Sequence, residues 1–276
     1  MQNKRNVESL WAERYGAATP KPVLPEWNPV LTQLLQHRSV RSYADRALPP
    51  GVLQLLVAAA QSASSSSNLQ VWSVVAVEDA ARKERLSVLA GNQSHVRNAP
   101  LFLAWLADLA RLHELAQQQQ REVVAFDYLE TLLLGVIDAA LAAQNAVVAL
   151  ESLGLSTVYI GGLRNKPEAV AAELGLPPGV FAVFGMCVGY EDTARVAPVK
   201  PRLPQEAVLH REQYSLEGQV PAVGDYDRVM ADFYATQGRP QPDWSSHVVG
   251  RVASAESLTG RARLADALRQ LGFKIR

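Results

Sequence analysis

The stretch that most constrains the fold runs from Tyr128 to Leu153 and reads YLETLLLGVIDAALAAQNAVVALESL. It is rich in leucine and alanine and free of proline, the composition of a long helix. At 1.5 Å per residue such a helix is roughly 39 Å long, more than the width of a small domain. Its apolar residues do not keep to one stripe. Leu132, Leu133, Leu134, Val136, Ile137, Leu141, Val147 and Val148 wrap nearly the whole circumference, so the helix needs cover on all sides. A membrane span is the rival reading, but Glu130, Asp138, Gln144, Asn145 and Glu151 interrupt the run. No uninterrupted apolar segment approaches the ~20 residues a bilayer needs. A buried core or interface helix is expected.

Gly154 closes that helix in the manner of a C-terminal glycine cap. The β-branched and aromatic run Ser156 to Ile160 then reads as a buried strand. It stops at Gly161-Gly162, followed by Leu163-Arg164-Asn165, and a new helix starts near Pro167. Two glycines at a strand exit let a flat ligand approach the backbone, although a bare Gly-Gly is also an ordinary tight turn.

A chain of 276 residues can bury one large core or two modest ones. Lys plus Arg and Asp plus Glu both number 27, so no bulk field recruits nucleic acid or an anionic membrane, and neither is expected as a partner. The single cysteine, Cys187, lies in the apolar run VFGMCVG and is expected to be packing. Disulfide frameworks and cysteine metal sites are thereby excluded. With no apolar leader visible, a cytoplasmic location is expected.

Residues 1–27 read as an N-terminal extension, with a short charged helix around Val7 to Arg14 and a linker from Ala17 to Pro25; a single domain is expected over 28–276. A helix from Pro29 to Leu35 ends in HRSVRSY, His37 to Tyr43. Arginines with hydroxyls in a turn suit a phosphate, and a solvated turn is the plain alternative. Pro49-Pro50 open a helix from Val52 to Ala60, which breaks at the run Ser64 to Asn68. Such a run is usually a linker. Here it sits between a helix and the strand Trp72 to Val77 with no length to spare, so it should be ordered. Helix Ala80 to Leu89, a polar turn Gly91 to His95 and a strand Leu101 to Leu106 precede the long helix. After it come helix Pro167 to Leu174, strand Phe181 to Val188 and the extended cationic segment Lys200-Pro201-Arg202-Leu203-Pro204. Helices Asp225 to Thr236 and Leu258 to Leu271 complete the chain, the latter ending at Gly272. Helices outnumber strands without strict alternation, which points to an α+β fold with a mixed or antiparallel sheet.

GxGxxG, Walker, HExxH and GxSxG motifs are absent, and the five histidines lack metal spacing. The motifs HRSVR, SSSSN, GNQ, YIGGLRN and KPRLP remain. In this order they resemble the oxygen-insensitive NADPH nitroreductase and NADPH-dependent FMN reductase family, over about Asn28 to Trp244 and less strongly to the C-terminus. The resemblance implies a nitroreductase-like α+β fold in which helices flank the sheet and the long central helix is buried. It also implies an intertwined homodimer with FMN at the interface. By similarity, His37, Arg38, Ser39 and Arg41 hold the flavin, and Lys200 and Arg202 meet its phosphate. Ser65, Ser66 and Asn68 reach over from the partner subunit, and Gln93 bonds the ring. Ile160, Gly161, Gly162 and Leu163 line one face.

The implied activity is NAD(P)H-dependent reduction of planar acceptors, among them nitroaromatics, quinones and free flavins, by a ping-pong two-electron mechanism. No protein nucleophile is required, since the cofactor carries the chemistry and the protein positions it. NADPH is the expected co-substrate, with NADH as the alternative. In the family, the loop after the helix ending near Thr236 commonly begins with an arginine that engages the NADPH 2′-phosphate. Here Gln237 stands in that place and only Arg239 is basic. Two further readings stay open: a reductase that releases free reduced flavin, and a flavin-binding protein without turnover.

Overall fold

A computed structural model of the chain describes residues 7–16, 26–238 and 243–276. Its elements are, in order, α1 (Val7–Tyr15), α2 (Pro29–Gln36), α3 (Val52–Gln61), β1 (Trp72–Val77), α4 (Ala80–Leu89), α5 (Ser94–Asn98) and β2 (Leu101–Asp108). There follow α6 (Ala110–Gln118), α7 (Leu129–Ser152), β3 (Ser156–Ile160), α8 (Pro167–Leu174), β4 (Val180–Gly189), α9 (Gln219–Thr236), α10 (Trp244–Arg251) and α11 (Leu264–Gln270). They fall into two units, Met1–Arg38 with Pro198–Leu258 and Ser39–Ala197 with Thr259–Arg276. The described part of the expected extension belongs to the smaller unit, because Leu10, Trp11 and Arg14 of α1 are buried side chains rather than solvated ones.

The larger unit is built on one sheet of order β1-β2-β4-β3, antiparallel throughout. Its central strands are nearly continuous apolar runs, as strands covered on both faces must be. Side chains of β2 alternate between two layers. Leu101, Leu103 and Trp105 pack with Val52 and Leu56 of α3 and with Ala142, Ala146 and Val147 of α7. Phe102, Ala104 and Leu106 pack with Leu86 of α4 and Val170 of α8. Small residues bring α7 close to the sheet. A β-carbon on Gly135 would come within 2.9 Å of Ala107 Cβ.

The end of α7 follows expectation. Gly154 takes φ +76°, its N–H bonds Glu151 O, and the Leu155 N–H bonds Leu150 O at 3.1 Å, a Schellman closure. Among the described residues its cover is one-sided. Leu129, Leu133, Ile137 and Leu141, each four residues apart, remain 44 to 51 % exposed, and they form one ridge along the helix. Two of the polar residues that interrupt the apolar run, Asp138 and Asn145, are docking points. Asn145 donates to Ala59 O at the end of α3. Asp138, 2 % exposed, accepts from Ser65 Oγ at 2.7 Å, from the Val71 N–H at 3.2 Å and from the Ser66 N–H at 3.4 Å.

Local structure departs from expectation at four places. The polar turn at Gly91 gives way to the helix α5 from Ser94. Helix α9 begins at Gln219, earlier than Asp225, since a proline in the first turn (Pro221) loses no intrahelical bond. Helix α10 was unforeseen. Its start is fixed by the Asp243 side chain on the Ser246 N–H, and by Asp227 of α9 on Ser245. The last helix begins at Leu264 rather than Leu258, because Thr259 (φ +56°) and Gly260 (φ +83°) are left-handed and no α-helix contains them.

The Asp138 contacts define a test. Asp138→Ala strands a hydroxyl and two backbone N–H groups in an apolar setting, with an expected loss of roughly 2–4 kcal/mol. Urea unfolding monitored by circular dichroism measures it.

Candidate functional site

In the smaller unit the cationic residues lie on irregular backbone held in place from several sides. His37 caps α2, its N–H bonding Leu34 O, and Arg38 follows directly. The segment Lys200 to Pro204 forms no regular structure, as its prolines dictate. The phenol of Tyr226, a buried residue of α9, donates to Pro201 O at 3.0 Å. Burial pushes that phenol above its usual range, with the Arg202 guanidinium drawing it back. Lys200 Nζ sits over the Tyr234 ring, 5.7 Å from its centre. Around these groups is a cavity of about 560 Å³ whose walls include Tyr15, Lys200, Arg202, Tyr234, Trp244 and His247. Both expected phosphate cations, Lys200 and Arg202, thus line one cavity. Arg239 lies outside the described residues. Gln237 ends α9 as its exposed C-cap.

In the larger unit the stretch after Arg38 is laced to the ends of β3 and β4. The Val40 N–H bonds Thr157 O at 3.0 Å, Tyr43 pairs with Glu191, and Ser42 Oγ donates to Asp192 at 3.0 Å. Val40 is buried, and the flanking Ser39 and Arg41 are exposed. Arg41 is close enough to His95 to act on it electrostatically. Burial, and then Arg41, lower that imidazole below its usual value.

The serine run is ordered, as its length required. Ser67, Asn68 and Gln70 all adopt positive φ (49°, 54° and 51°), a cost that surrounding contacts must offset. Ser65 supplies the main one. Its hydroxyl donates to Asp138 and accepts from the Gln70 N–H at 2.8 Å. With its only proton committed, Ser65 has no donor to offer a ligand, so its part is to shape the loop. Ser66 and Asn68 are exposed.

The strand exit expected to line a flat ligand meets the turn that carries Gln93. A β-carbon on Gly162 would fall 2.3 Å from Ala90 O and 2.7 Å from Gln93 Nε2. Gln93 is itself fixed, its side-chain Nε2 donating to Ala90 O at 2.8 Å and its backbone carbonyl accepting from Ser87 Oγ at 2.8 Å. Only glycine at 162 allows this contact, and it brings Gln93 beside Gly162. Ile160, at the end of β3, is buried.

Two arginines at this place had no role in the sequence reading. A β-carbon on Gly161 would lie 3.4 Å from Arg164 Nη2 and 3.9 Å from Arg261 Nη1. Arg164 donates to Val183 O, and Arg261 Nε bonds Asn165 Oδ1 at 2.9 Å. Burial, and then the Arg261 charge, lower the pKa of Arg164. The two guanidinium groups thus lie close together beside Gly161 while partly desolvated. Arg164 belongs to the YIGGLRN motif, so that signal was in the sequence. Arg261 is delivered by the left-handed turn at Thr259-Gly260, packed 3.1 Å from Asn165 O where a β-carbon on Gly260 would be. No local pattern announces that.

Gly162→Ala is expected to displace the Ala90–Gln93 turn, because the obstructing atom is a backbone carbonyl. The expected loss is about 1–3 kcal/mol. Urea unfolding measures it, and amide exchange of residues 90–93 should rise relative to the sheet.

Family models match most of the chain. The model described as "Nitroreductase family" covers residues 34–190, and that described as "Nitroreductase family, C-terminal domain" covers residues 200–276. The FMN reductase (NADPH) of Bacillus subtilis is 36 % identical over 251 residues, spanning 89 % of this chain and 98 % of that protein. The oxygen-insensitive NADPH nitroreductase of Salmonella typhimurium is 40 % identical over 224 residues, 80 % of this chain and 90 % of the relative. Among solved structures, the NADPH:FMN oxidoreductase of Vibrio harveyi complexed with NAD+ superposes with a TM-score of 0.80 at 35 % identity. That match covers 90 % of this chain and 100 % of that one. Matched along nearly its whole length by proteins of one fold, the chain belongs to the nitroreductase family.

Proposed function

We propose that this protein is an NAD(P)H-dependent, FMN-containing oxidoreductase that passes two electrons to small planar acceptors, with nitroaromatics and quinones as the leading class. The observation that carries the reading is the close packing of Gly162 on the Gln93 turn, beside a glycine whose nearest side chains are arginines. It brings fixed backbone, a fixed amide and positive charge together at one strand exit. Relatives named FMN reductase, nitroreductase and NADPH-flavin oxidoreductase support it.

The residues fit FMN on their own chemistry. Lys200 and Arg202, with Arg38 and His37, are the groups that would hold its phosphate, since charge-assisted bonds are the strong ones for such an anion. Ser39 and Arg41 would meet the polar edge of the ring. Ile160 to Leu163 and Gln93 would line one face, with Arg164 and Arg261 beside Gly161. Ser66 and Asn68, exposed on a rigid loop, would reach a ring bound across a subunit interface, whereas Ser65 would keep that loop in shape. When bound, FMN supplies the two-electron chemistry; the protein supplies position, charge and exclusion of water. NAD(P)H and acceptor would use the open side by turns, a ping-pong order. Arg164 and Arg261, both beside Gly161, are cations that a phosphorylated co-substrate would meet, which favours NADPH despite Gln237.

The exposed ridge Leu129, Leu133, Ile137 and Leu141 supports a homodimer, in which a second copy covers what the chain leaves open.

The test is an anaerobic visible spectrum before and after NADPH. Flavin bands should bleach, and Arg261→Ala should raise the KM for NADPH roughly tenfold, as loss of one charge-assisted contact implies, with a smaller change for NADH. Flavin bands that NADPH leaves intact would turn the reading toward a non-catalytic binder.

A further inference from the structure

Helix α1 precedes the first residue matched by either family model. Its last turn carries Arg14, which is 6 % exposed although arginine is a residue of surfaces. The guanidinium is spread over three backbone carbonyls. Nη1 donates to Lys200 O at 2.9 Å, and Nη2 donates to Leu35 O at 2.7 Å and to His37 O at 2.9 Å. The backbone of Arg14 joins the same arrangement, its carbonyl accepting from the Arg202 N–H at 2.8 Å. One residue of α1 thus binds the end of α2, from which His37 and Arg38 emerge, and both cationic positions of the segment Lys200 to Arg202. These segments are more than 160 residues apart in sequence, as the |i−j| of 186 between Arg14 and Lys200 and 23 between Arg14 and His37 require.

We infer that Arg14 is a positioning residue for the anion-binding cations, and that α1 is a built part of the phosphate end of the site. The inference rests on the reading that Lys200 and its neighbours take the FMN phosphate. The physical reason is geometric. A planar fork with donors in fixed directions holds three carbonyls at set distances, and a flexible ammonium does so less well. Cations on irregular, proline-bearing backbone have no helix or ladder to fix them. The Tyr226 bond to Pro201 O holds one point of the segment; without Arg14 the ends at His37 and Lys200 would have to be ordered at the moment of binding, and that ordering is subtracted from affinity. Arg14 itself donates to carbonyls and needs no contact with the ligand.

The experiment compares FMN with riboflavin, which has the same ring and no phosphate. The full chain, stripped of flavin, is titrated with each, and the ratio of the two dissociation constants measures what the phosphate adds. Arg14→Ala should lower that ratio roughly tenfold or more, leaving the riboflavin constant within about twofold, each tenfold being 1.4 kcal/mol. Arg14→Lys should fall between Arg14→Ala and the native protein. Lys200→Ala is run beside them. If Lys200→Ala lowers the ratio and Arg14→Ala does not, the inference fails while the phosphate reading stands. If Lys200→Ala leaves the ratio unchanged, the phosphate reading fails and takes the inference with it. Equal weakening of FMN and riboflavin in Arg14→Ala would mark a general structural role and also overturn the inference. Should Arg14→Ala not fold, Arg14→Lys decides: it keeps the charge but loses the fork, so an unchanged ratio in it contradicts the account.

Discussion

A carboxyl group on the sheet side of an apolar helix is unfavourable unless its oxygens are fully used. Asp138 uses them on Ser65, Ser66 and Val71, and much of the larger unit depends on that. These contacts convert a run of serines into an ordered loop, with three residues held in left-handed backbone. They also fix where the chain turns from α3 into β1. The small residues of α7 let the helix lie close enough to the sheet for the carboxyl to reach the loop. Packing and polar satisfaction are therefore one constraint here.

The same economy appears at the strand exit after β3. Gly162 has no side chain because the Ala90 carbonyl occupies its place, and that contact positions Gln93. Gly161 has Arg164 and Arg261 for its nearest side chains. In the smaller unit the equivalent device is Arg14, buried among carbonyls of segments that carry cations. In both units the chemistry-bearing groups are exposed or half-exposed, and buried polar contacts behind them set their places. That division suits a protein whose cofactor supplies the reactivity.

Much of this was legible in the sequence because the signals are local. Composition alone marks α7, and the glycine after Leu153 marks its end. β-Branched and apolar runs mark all four strands. The order of the serine run was readable from its lack of spare length, and YIGGLRN from the strand and glycine turn it encodes. What stayed hidden depends on partners distant in sequence. Ser65 looks like a ligand-binding hydroxyl until Asp138, 73 residues on, is found to hold its proton. Arg14 looks like a solvated charge on a short helix until its carbonyl partners are seen. The turn that delivers Arg261 needs positive φ at Thr259, a residue that local pattern favours for helix or strand. The cover of α7 was half legible. Its circumference announced a need for apolar contact on all sides, and the chain meets it on one.

The unmet side of α7 gives the account its most direct test. Native mass spectrometry of the purified protein, with flavin retained, reports subunit number and cofactor number together. A dimer of the 30.0 kDa chain carrying two FMN is the predicted result. A stable monomer that binds FMN in full would contradict it, since the ridge from Leu129 to Leu141 would then be an apolar surface without an occupant and the exposed serine loop would have no second subunit to serve.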